Sequence, residues 1–239
     1  MIPKIIHYCW FGGNPLPELA KDCIASWHKH MPEWTYIPWT EDNFDIDSAP
    51  LYVKEAYQAR KFAFVSDYVR LWALEQYGGV YFDVDFFVYK SFEPLLAHHA
   101  FIGHEGCKRQ ALMMGVLACE PNHRCIQQMK ETYNTRHFLI GDDKYDLTPN
   151  TSYFSNWLKK RGLVLDGQEK DFCEIHIYPV DYFCPILTSG EDVRTENTYC
   201  ESKELCSWSG KENWKSVILS CFNPKWKTRI IKIKRQLFG

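Results

Sequence analysis

Apolar and polar positions follow two different periods along the chain, and together they predict alternating strands and helices. Short apolar runs that end at turn residues, such as "IPKIIHYCWF" before Gly12-Gly13 and the run "TYIPW", predict strands. Residues 60–77 instead carry apolar side chains at the spacing of one helix face: Phe62, Val65, Val69 and Trp72. Further helices are predicted near 18–30, 122–134 and 151–161, and further strands in "AFIGHE", "ALMMGVLA" and "CEIHIYPV". This alternation predicts an α/β fold with a central, largely parallel sheet flanked by helices.

Two carboxylates interrupt the most strand-like run of the chain. Gly78-Gly79 ends the 60–77 helix, and the predicted strand "VYFDVDFFV" that follows contains Asp83 and Asp85. Because side chains alternate across a strand, both Asp residues should lie on one face, with Cβ atoms roughly 6.5–7 Å apart. Two like charges this close are stable if they are protonated, matched by basic groups or bridged by a cation. A hard divalent ion suits the pair, although two ordinary carboxylates on a solvent-facing edge strand would give the same triplet.

The helix before this strand carries an acid and a base on one face. Asp67 and Arg70 are three positions apart, so on a helix they are neighbours. In an arbitrary helix this spacing would indicate only an ion pair. Here the helix leads through a diglycine directly into the carboxylate pair, which indicates a shared site.

The combined stretch "FAFVSDYVRLWALEQYGGVYFDVD" resembles the sugar-nucleotide-dependent glycosyltransferases of family 32 and the related glucosylating domains of large clostridial toxins. The shared pattern, A-x-x-S-D-x-x-R, a spacer and G-G-x-Y-x-D-x-D, is matched by Ala63, Ser66, Asp67, Arg70, Gly78, Gly79, Tyr81, Asp83 and Asp85. The opening "IPKIIHYCWFGG" is similar to the family's I-P-K-x-I-H-x-x-W. The resemblance is strong over residues 1–95. It implies a GT-A type nucleotide-sugar-binding fold, expected as one catalytic domain over residues 1–222, with the donor at the carboxyl ends of the strands.

The resemblance also implies roles for individual residues. Asp83 and Asp85 would hold the divalent cation, Mn²⁺ or Mg²⁺, that bridges the donor diphosphate, with Asp85 as the more direct ligand. Asp67 and Arg70 match positions that contact the donor sugar and phosphates. Trp10 matches an aromatic position that stacks on the base, and its alternative is a core Trp that closes a strand. The implied catalytic residues are Asp67, Arg70 and Asp85.

The C-terminal part departs from the family pattern. Residues 196–208, "ENTYCESKELCSW", keep the family's E-N-T-Y and the pair Ser207-Trp208, which the resemblance assigns to donor binding. Ser202 and Lys203 stand where the family has paired His residues. If one of those His completes the metal shell, this chain must recruit another ligand: Glu201, Glu204, Ser207 or water. Lys203 could alternatively supply positive charge to the diphosphate, and a catalytically degenerate member is a further possibility.

The net charge, the cysteine pattern and the apolar runs limit which binding partners and which cellular compartment we expect. A formal net charge of −2 gives no global attraction to nucleic acid, so no nucleic-acid partner is expected. We find no signal-peptide pattern and no apolar run long enough to span a bilayer, and the ten Cys are scattered without a C-x-x-C spacing. These features predict a cytoplasmic protein with reduced thiols. Residues 223–239 carry six basic side chains and no acid, a pattern that fits either peripheral contact with an anionic membrane or a solvated helix packed on the domain.

These inferences predict a retaining glycosyltransferase at the inner face of the cell membrane. The donor would be a UDP-hexose or UDP-N-acetylhexosamine first and a GDP-sugar second, and the acceptor a glycan or lipid-linked saccharide in surface or capsular polysaccharide synthesis. We cannot identify a nucleophile for double displacement, so front-face substitution is the working hypothesis. The alternatives are a metal-dependent nucleotide-sugar hydrolase and a degenerate relative that only binds sugar nucleotides or glycans.

Overall fold

A seven-stranded mixed sheet is the centre of the fold. This computed structural model describes residues 1–105, 111–142, 144–187 and 189–203. In spatial order, the strands of the sheet are β2 (Thr35–Trp39), β1 (Ile5–Cys9), β3 (Gly79–Phe82), β6 (Leu112–Cys119), β5 (Ala100–His104), β10 (Ile175–Tyr178) and β9 (Lys170–Phe172). Strands β2, β1, β3, β5 and β10 run in one direction, and β6 and β9 run in the other. The predicted central, mostly parallel mixed sheet is therefore confirmed.

Helices cover both faces of this sheet. One face is covered by α2 (Leu51–Gln58), α3 (Phe62–Tyr77), α4 (Arg124–Glu131) and α5 (Asn150–Lys159). The other face is covered by α1 (Glu18–His30) and the short α6 (Val180–Phe183). Helix α3 is the most deeply packed of them, because Val65, Val69 and Leu71 are all fully buried. Each such side chain stabilises the helix by about 1.5–3 kcal/mol, so α3 is a rigid support for its polar residues.

The end of α3 is fixed to the start of the sheet. Gly78 and Gly79 follow the helix with φ of 62° and 106°, values that favour glycine. A Cβ at Gly79 would lie 2.6 Å from the carbonyl oxygen of Ile5, so only glycine permits this approach. His7 of β1 is buried; its Nε2–H donates to the Gly78 carbonyl at 2.8 Å, and its Nδ1 accepts from Trp39 Nε1 at 3.2 Å. Strands β1 and β2 and the end of α3 are thus held by one imidazole.

The predicted continuous strand around the two Asp residues is wrong. The chain forms β3, then a turn over residues 83–85, then a separate strand β4 (Phe86–Val88). Strand β4 leaves the central sheet and pairs antiparallel with β11 (Cys200–Ser202). The reason is that other elements satisfy its backbone: the Phe86 carbonyl accepts from Trp27 Nε1 at 2.7 Å, and the Val88 N–H donates to Ser26 Oγ at 2.9 Å. Asp83 and Asp85 therefore do not share the face of one strand.

Several shorter elements carried no predictive sequence signal, among them α2, α6, β9, β11 and the hairpin of β7 (Leu139–Gly141) and β8 (Lys144–Tyr145). The predicted basic tail, residues 223–239, lies outside the described residues. Within the described ranges, no helix has the length and apolarity to cross a bilayer. The seven cysteines in those ranges form no disulfide, and five of them are buried.

Candidate active site

Polar side chains gather where the parallel strands end. Strands β1, β3 and β5 run in the same direction, so their carboxyl ends lie at one edge of the sheet. Trp10 follows β1, Asp83 follows β3 and Glu105 follows β5. This edge is where open α/β sheets bind their ligands.

Arg70 connects the helix to this edge. Its Nη2 lies 2.8 Å from Asp67 Oδ1 and 3.4 Å from Asp83 Oδ1. The rest of the guanidinium is also bound, because Nη1 donates to the Met114 carbonyl at 2.6 Å and Nε donates to the Ser66 carbonyl at 3.3 Å. The side chain is only 6% exposed. The sequence predicts that Asp67, Arg70 and Asp83 share one site, and in the structure Arg70 contacts both Asp residues.

Asp83 is held in place from two sides. The Tyr81 hydroxyl donates to Asp83 Oδ1 at 2.8 Å, and the Asp83 N–H donates to the Gly115 carbonyl at 2.9 Å. A Cβ on Gly115 would come within 2.4 Å of the Phe86 ring and 2.9 Å of Asp83 Oδ2, so β6 needs glycine there for the turn to dock. Within the described residues, Asp83 Oδ2 accepts no hydrogen bond, and the side chain is 37% exposed. The carboxylate therefore keeps one oxygen available for a ligand.

The buried pair has perturbed acidities. Burial raises the pKa of Asp67 to about 6, although the Arg70 cation opposes this shift. Burial disfavours the Arg70 cation, but the neighbouring charges of Asp83, Tyr81 and Asp67 outweigh it and raise the pKa of Arg70. At neutral pH Asp67 is therefore mainly ionised and forms an ion pair with the Arg70 cation. Asn150, at the start of α5, donates to the Asp67 carbonyl at 3.1 Å and fixes the helix from the other side.

Asp85 lies in the same turn but is approached by different elements. Its carbonyl accepts the Lys203 N–H at 2.8 Å, so the end of β11 contacts the turn. Burial and, second, the charge of Asp85 raise the pKa of the Cys23 thiol in α1 to about 11. Asp67, Arg70 and Asp83 therefore form the convergent part of the site, and Asp85 borders it.

Trp10, which directly follows β1, lines an open cleft of about 810 Å³. Its Nε1 donates to the Asn14 carbonyl at 2.5 Å, and its backbone N–H donates to the Trp39 carbonyl at 2.9 Å. The ring is half-buried, and the cleft is also lined by Glu41 and Tyr57. Trp10 thus faces the cleft and is not a core residue.

A segment in the first half of the chain matches one protein family. Residues 17–102 match the family described as "Glycosyltransferase sugar-binding region containing DXD motif". Over these residues the chain is similar to the sugar-binding region of DXD glycosyltransferases. The resemblance to family 32 is confirmed over this range, which contains Asp67, Arg70, Asp83 and Asp85.

Curated relatives are similar to this chain in sequence, and one solved structure shares its fold. Inositol phosphoceramide mannosyltransferase 1 of Schizosaccharomyces pombe is 32% identical over 111 residues, which are 42% of this chain and 33% of the relative. Mannosyl phosphorylinositol ceramide synthase SUR1 of Saccharomyces cerevisiae is 31% identical over 157 residues, 62% of this chain and 37% of the relative. The chain thus spans about a third of the length of these curated relatives. The structure of PaToxG glycosyltransferase matches with a TM-score of 0.53 and 18% identity over 67% of this chain and 70% of that one, which confirms the predicted GT-A type α/β fold.

The DXD turn can accommodate the divalent cation that such regions use. Mg²⁺-like ions keep several waters and need only one or two carboxylates together with substrate phosphates. The Asp83 oxygen without a hydrogen bond and the neighbouring Asp85 meet this requirement. No group of three or more His, Cys, Asp or Glu side chains in the described ranges could hold a metal. When bound, the ion would supply positive charge against the leaving diphosphate.

The residues around the missing His pair carry their own ion pairs. Lys203 Nζ pairs with Glu201, and Arg194 Nη1 lies 3.5 Å from the second Glu201 oxygen. Glu201 is therefore already neutralised by two cations, which disfavours it as a metal ligand. Ser207, Trp208 and Glu204 lie outside the described residues.

Some site residues could not have been assigned a role from the sequence. Tyr81 matched the family pattern, but its hydrogen bond to Asp83 appears only in the structure. Met114 and Gly115 contribute backbone carbonyls, which leave no side-chain signal. Glu105 ends a predicted strand, and only the strand order brings it to the same edge as Asp83.

Proposed function

We propose that this protein is a retaining glycosyltransferase that moves a sugar from a nucleotide diphosphate donor to a glycan or lipid-linked acceptor. The observation that carries the proposal is the guanidinium of Arg70, fixed between Asp67 and Asp83 at the carboxyl edge of the sheet. A buried cation beside an accessible carboxylate oxygen suits a diphosphate bound through a divalent ion. The match of residues 17–102 to the DXD family supports this interpretation.

Each residue then has a chemical task. The indole face of Trp10 stacks on the nucleobase in the open cleft. Asp67 accepts hydrogen bonds from hydroxyl groups of the donor sugar, and Arg70 stabilises the negative charge that develops on the departing diphosphate. In the front-face reaction the bond from the anomeric carbon to the phosphate oxygen breaks, and its electron pair leaves with the nucleoside diphosphate. The acceptor oxygen bonds to the same face of that carbon, and its proton passes to the leaving phosphate.

The same proposal includes the donor, the cofactor, the acceptor and the cellular location. A UDP-hexose or UDP-N-acetylhexosamine is the first donor to test and a GDP-sugar the second, with Mn²⁺ or Mg²⁺ as cofactor. A lipid-linked acceptor is supported by relatives whose names contain an inositol phosphoceramide or a phosphorylinositol ceramide. We place the activity in surface or capsular polysaccharide synthesis at the cytoplasmic face of the membrane, with peripheral contact through residues 223–239.

A donor screen tests the proposal. Wild type and Asp85→Asn are each incubated with UDP- and GDP-sugars, with a soluble or lipid-linked saccharide, and with Mn²⁺, Mg²⁺ or a chelator. We expect transfer by wild type with metal, and a loss of about 10²-fold or more in Asp85→Asn, the scale of removing one group that stabilises transition-state charge. Asp142→Asn, an exposed acid in a turn, is the matched control and should behave as wild type.

Three results would contradict parts of the proposal. Donor consumption at the same rate without acceptor would indicate a nucleotide-sugar hydrolase. Binding of UDP or GDP with Mn²⁺, without turnover of any donor in the screen, would indicate a degenerate relative that only binds its ligand. The presence of Ser202-Lys203 in place of the family's His pair is the basis of that hypothesis. Substantial transfer by a folded Asp85→Asn variant would exclude the metal role of that residue.

A further inference from the structure

Glu105 lies at the same edge of the sheet as the proposed donor site, but it has no role in the donor binding proposed above. The strand order β1-β3-β6-β5 puts Trp10, Asp83 and Glu105 along the edge in that sequence. If the base lies at Trp10 and the diphosphate at Asp83, the donor extends along this line. Its sugar then points towards the end of β5.

The strand pairing gives an approximate separation of the backbones at Asp83 and Glu105. Tyr81 and Ile102 both pair with Leu117, so they are level across β6. Asp83 lies two residues beyond Tyr81, and Glu105 lies three residues beyond Ile102. Two strand spacings put the backbones of β3 and β5 about 10 Å apart at the level of Leu117. The register of β5 against β6 shifts between Ile102 and Gly103, so Glu105 lies beyond this irregularity, opposite Ala111, whereas Asp83 lies opposite Gly115. The backbones of Asp83 and Glu105 are thus at least two strand spacings apart, which leaves room for a sugar between them.

Glu105 also differs from Asp67 and Asp83 in that its carboxylate has no partner within residues 1–105, 111–142, 144–187 and 189–203. Asp67 and Asp83 are both engaged by Arg70. The Glu105 carboxylate has no hydrogen bond or ion pair to any residue in the part of the chain that the structure describes, although the residue is half-buried. Burial raises its pKa to about 7. Its backbone is fixed, since its N–H donates to the Ala111 carbonyl at 2.9 Å.

We propose that Glu105 binds the acceptor, with its carboxylate accepting a hydrogen bond from a hydroxyl group of the acceptor saccharide. A half-buried carboxylate that no described residue pairs with is stabilised when a ligand supplies a hydrogen-bond donor. Saccharide hydroxyls are such donors, and the position beyond the donor sugar is where an acceptor must approach. This inference rests on the proposed function, since it presupposes a donor bound between Trp10 and Asp83.

The test compares two reactions of the same enzyme. Wild type, Glu105→Ala and Glu105→Gln are assayed for transfer at varied acceptor concentration and for slow donor hydrolysis without acceptor. We expect Glu105→Ala to raise the acceptor KM by about tenfold or more, with Glu105→Gln intermediate because its amide oxygen still accepts. The donor KM and acceptor-free hydrolysis should stay at wild-type levels. Glu120→Gln is the matched control: Glu120 follows β6 at the opposite edge, where it pairs with His99 and the N-terminus.

The outcomes separate this inference from the proposed function. Parallel losses of hydrolysis and transfer in a variant that melts like wild type would place Glu105 on the donor side and overturn acceptor binding. Unchanged acceptor KM in Glu105→Ala would also overturn it. If wild type itself neither transfers nor hydrolyses any donor, the proposed function has failed first. Glu105→Gln keeps size and shape, so it provides the test if Glu105→Ala does not fold.

Discussion

At the scale of single residues, the site depends on a cation that is buried among carboxylates. Arg70 makes two ion pairs and donates to two backbone carbonyls, so each of its polar nitrogens is satisfied. Burying charges is costly unless they are paired. The arrangement is therefore stable only as a unit, and removing one partner leaves an uncompensated charge.

A double-mutant cycle measures this dependence. Arg70→Met should lower the free energy of unfolding by about 3–5 kcal/mol, because Asp67 is then buried without its cation. The double variant Asp67→Asn/Arg70→Met should recover much of that loss, since the stranded charge is gone. Urea denaturation of the set measures both effects, and Arg124→Met, on the exposed side of α4, serves as the control. A double variant no more stable than Arg70→Met would refute the account.

The sequence predicts some of these contacts and does not predict others. The i,i+3 spacing of Asp67 and Arg70 predicts their contact, because helix geometry is local. The reach of Arg70 to Asp83 and to the Met114 carbonyl depends on where β3 and β6 lie beside α3. No local pattern encodes that, and only the family resemblance pointed to it.

At the scale of elements, one buried imidazole joins three of them. His7 in β1 binds the carbonyl at the end of α3 and the indole of Trp39 in β2, both through its neutral form. Burial, opposed by the bond to Gly78, lowers the pKa of His7 to about 4. Protonation would desolvate a cation in the core and turn Nδ1 from an acceptor into a donor facing Trp39.

This lowered pKa predicts a pH-dependent stability. In the unfolded chain His7 takes up a proton with a pKa of about 6.5, whereas in the native protein its pKa is about 4. Between these two values the unfolded state binds more protons, so the free energy of unfolding should fall as the pH drops from about 6.5 to about 4. The loss of stability caused by His7 should reach about 3 kcal/mol at the acid end. Urea unfolding from pH 7.5 to 4.5 should give a wild-type minus His7→Gln difference that shrinks with acidity. A difference independent of pH would show that His7 does not stay neutral.

The turn at residues 83–85 is the clearest error of prediction at this scale. The run of Val and Phe has strong β-propensity, and alternation alone favours one continuous strand. The break occurs because α1 and β11 supply hydrogen-bond partners for β4 that β6 does not. Those partners lie more than fifty residues away on either side, so no window of the sequence reveals them.

At the scale of the whole molecule, the strand order arranges the site along one edge, from the Trp10 cleft through Asp83 to Glu105. The basic stretch 223–239 adds a sequence feature that would suit a lipid-linked acceptor. A cluster of Lys and Arg with interspersed apolar residues is attracted to anionic headgroups.

Deleting residues 223–239 tests the membrane contact. We expect the full chain to co-sediment with vesicles that contain anionic lipid and the truncated chain to bind them at least about tenfold more weakly at low salt. Turnover with a soluble acceptor should be unchanged, which separates membrane contact from catalysis. Neutral phosphatidylcholine vesicles are the control surface. Equal binding of both chains to anionic vesicles would remove the tail from the proposal.

The sequence by itself determined the α/β class, the bounds of α1 and α3 to within about two residues and, through the family resemblance, the residues of the DXD region. Periodicity and motif spacing are properties of neighbouring positions, so the sequence shows them directly. Only the tertiary structure decided that Arg70 reaches Asp83, that the two Asp residues sit in a turn and that Glu105 shares their edge. Those relations depend on strand order and on contacts between distant segments. They are set by which faces can be buried together, and short-range patterns do not carry that information.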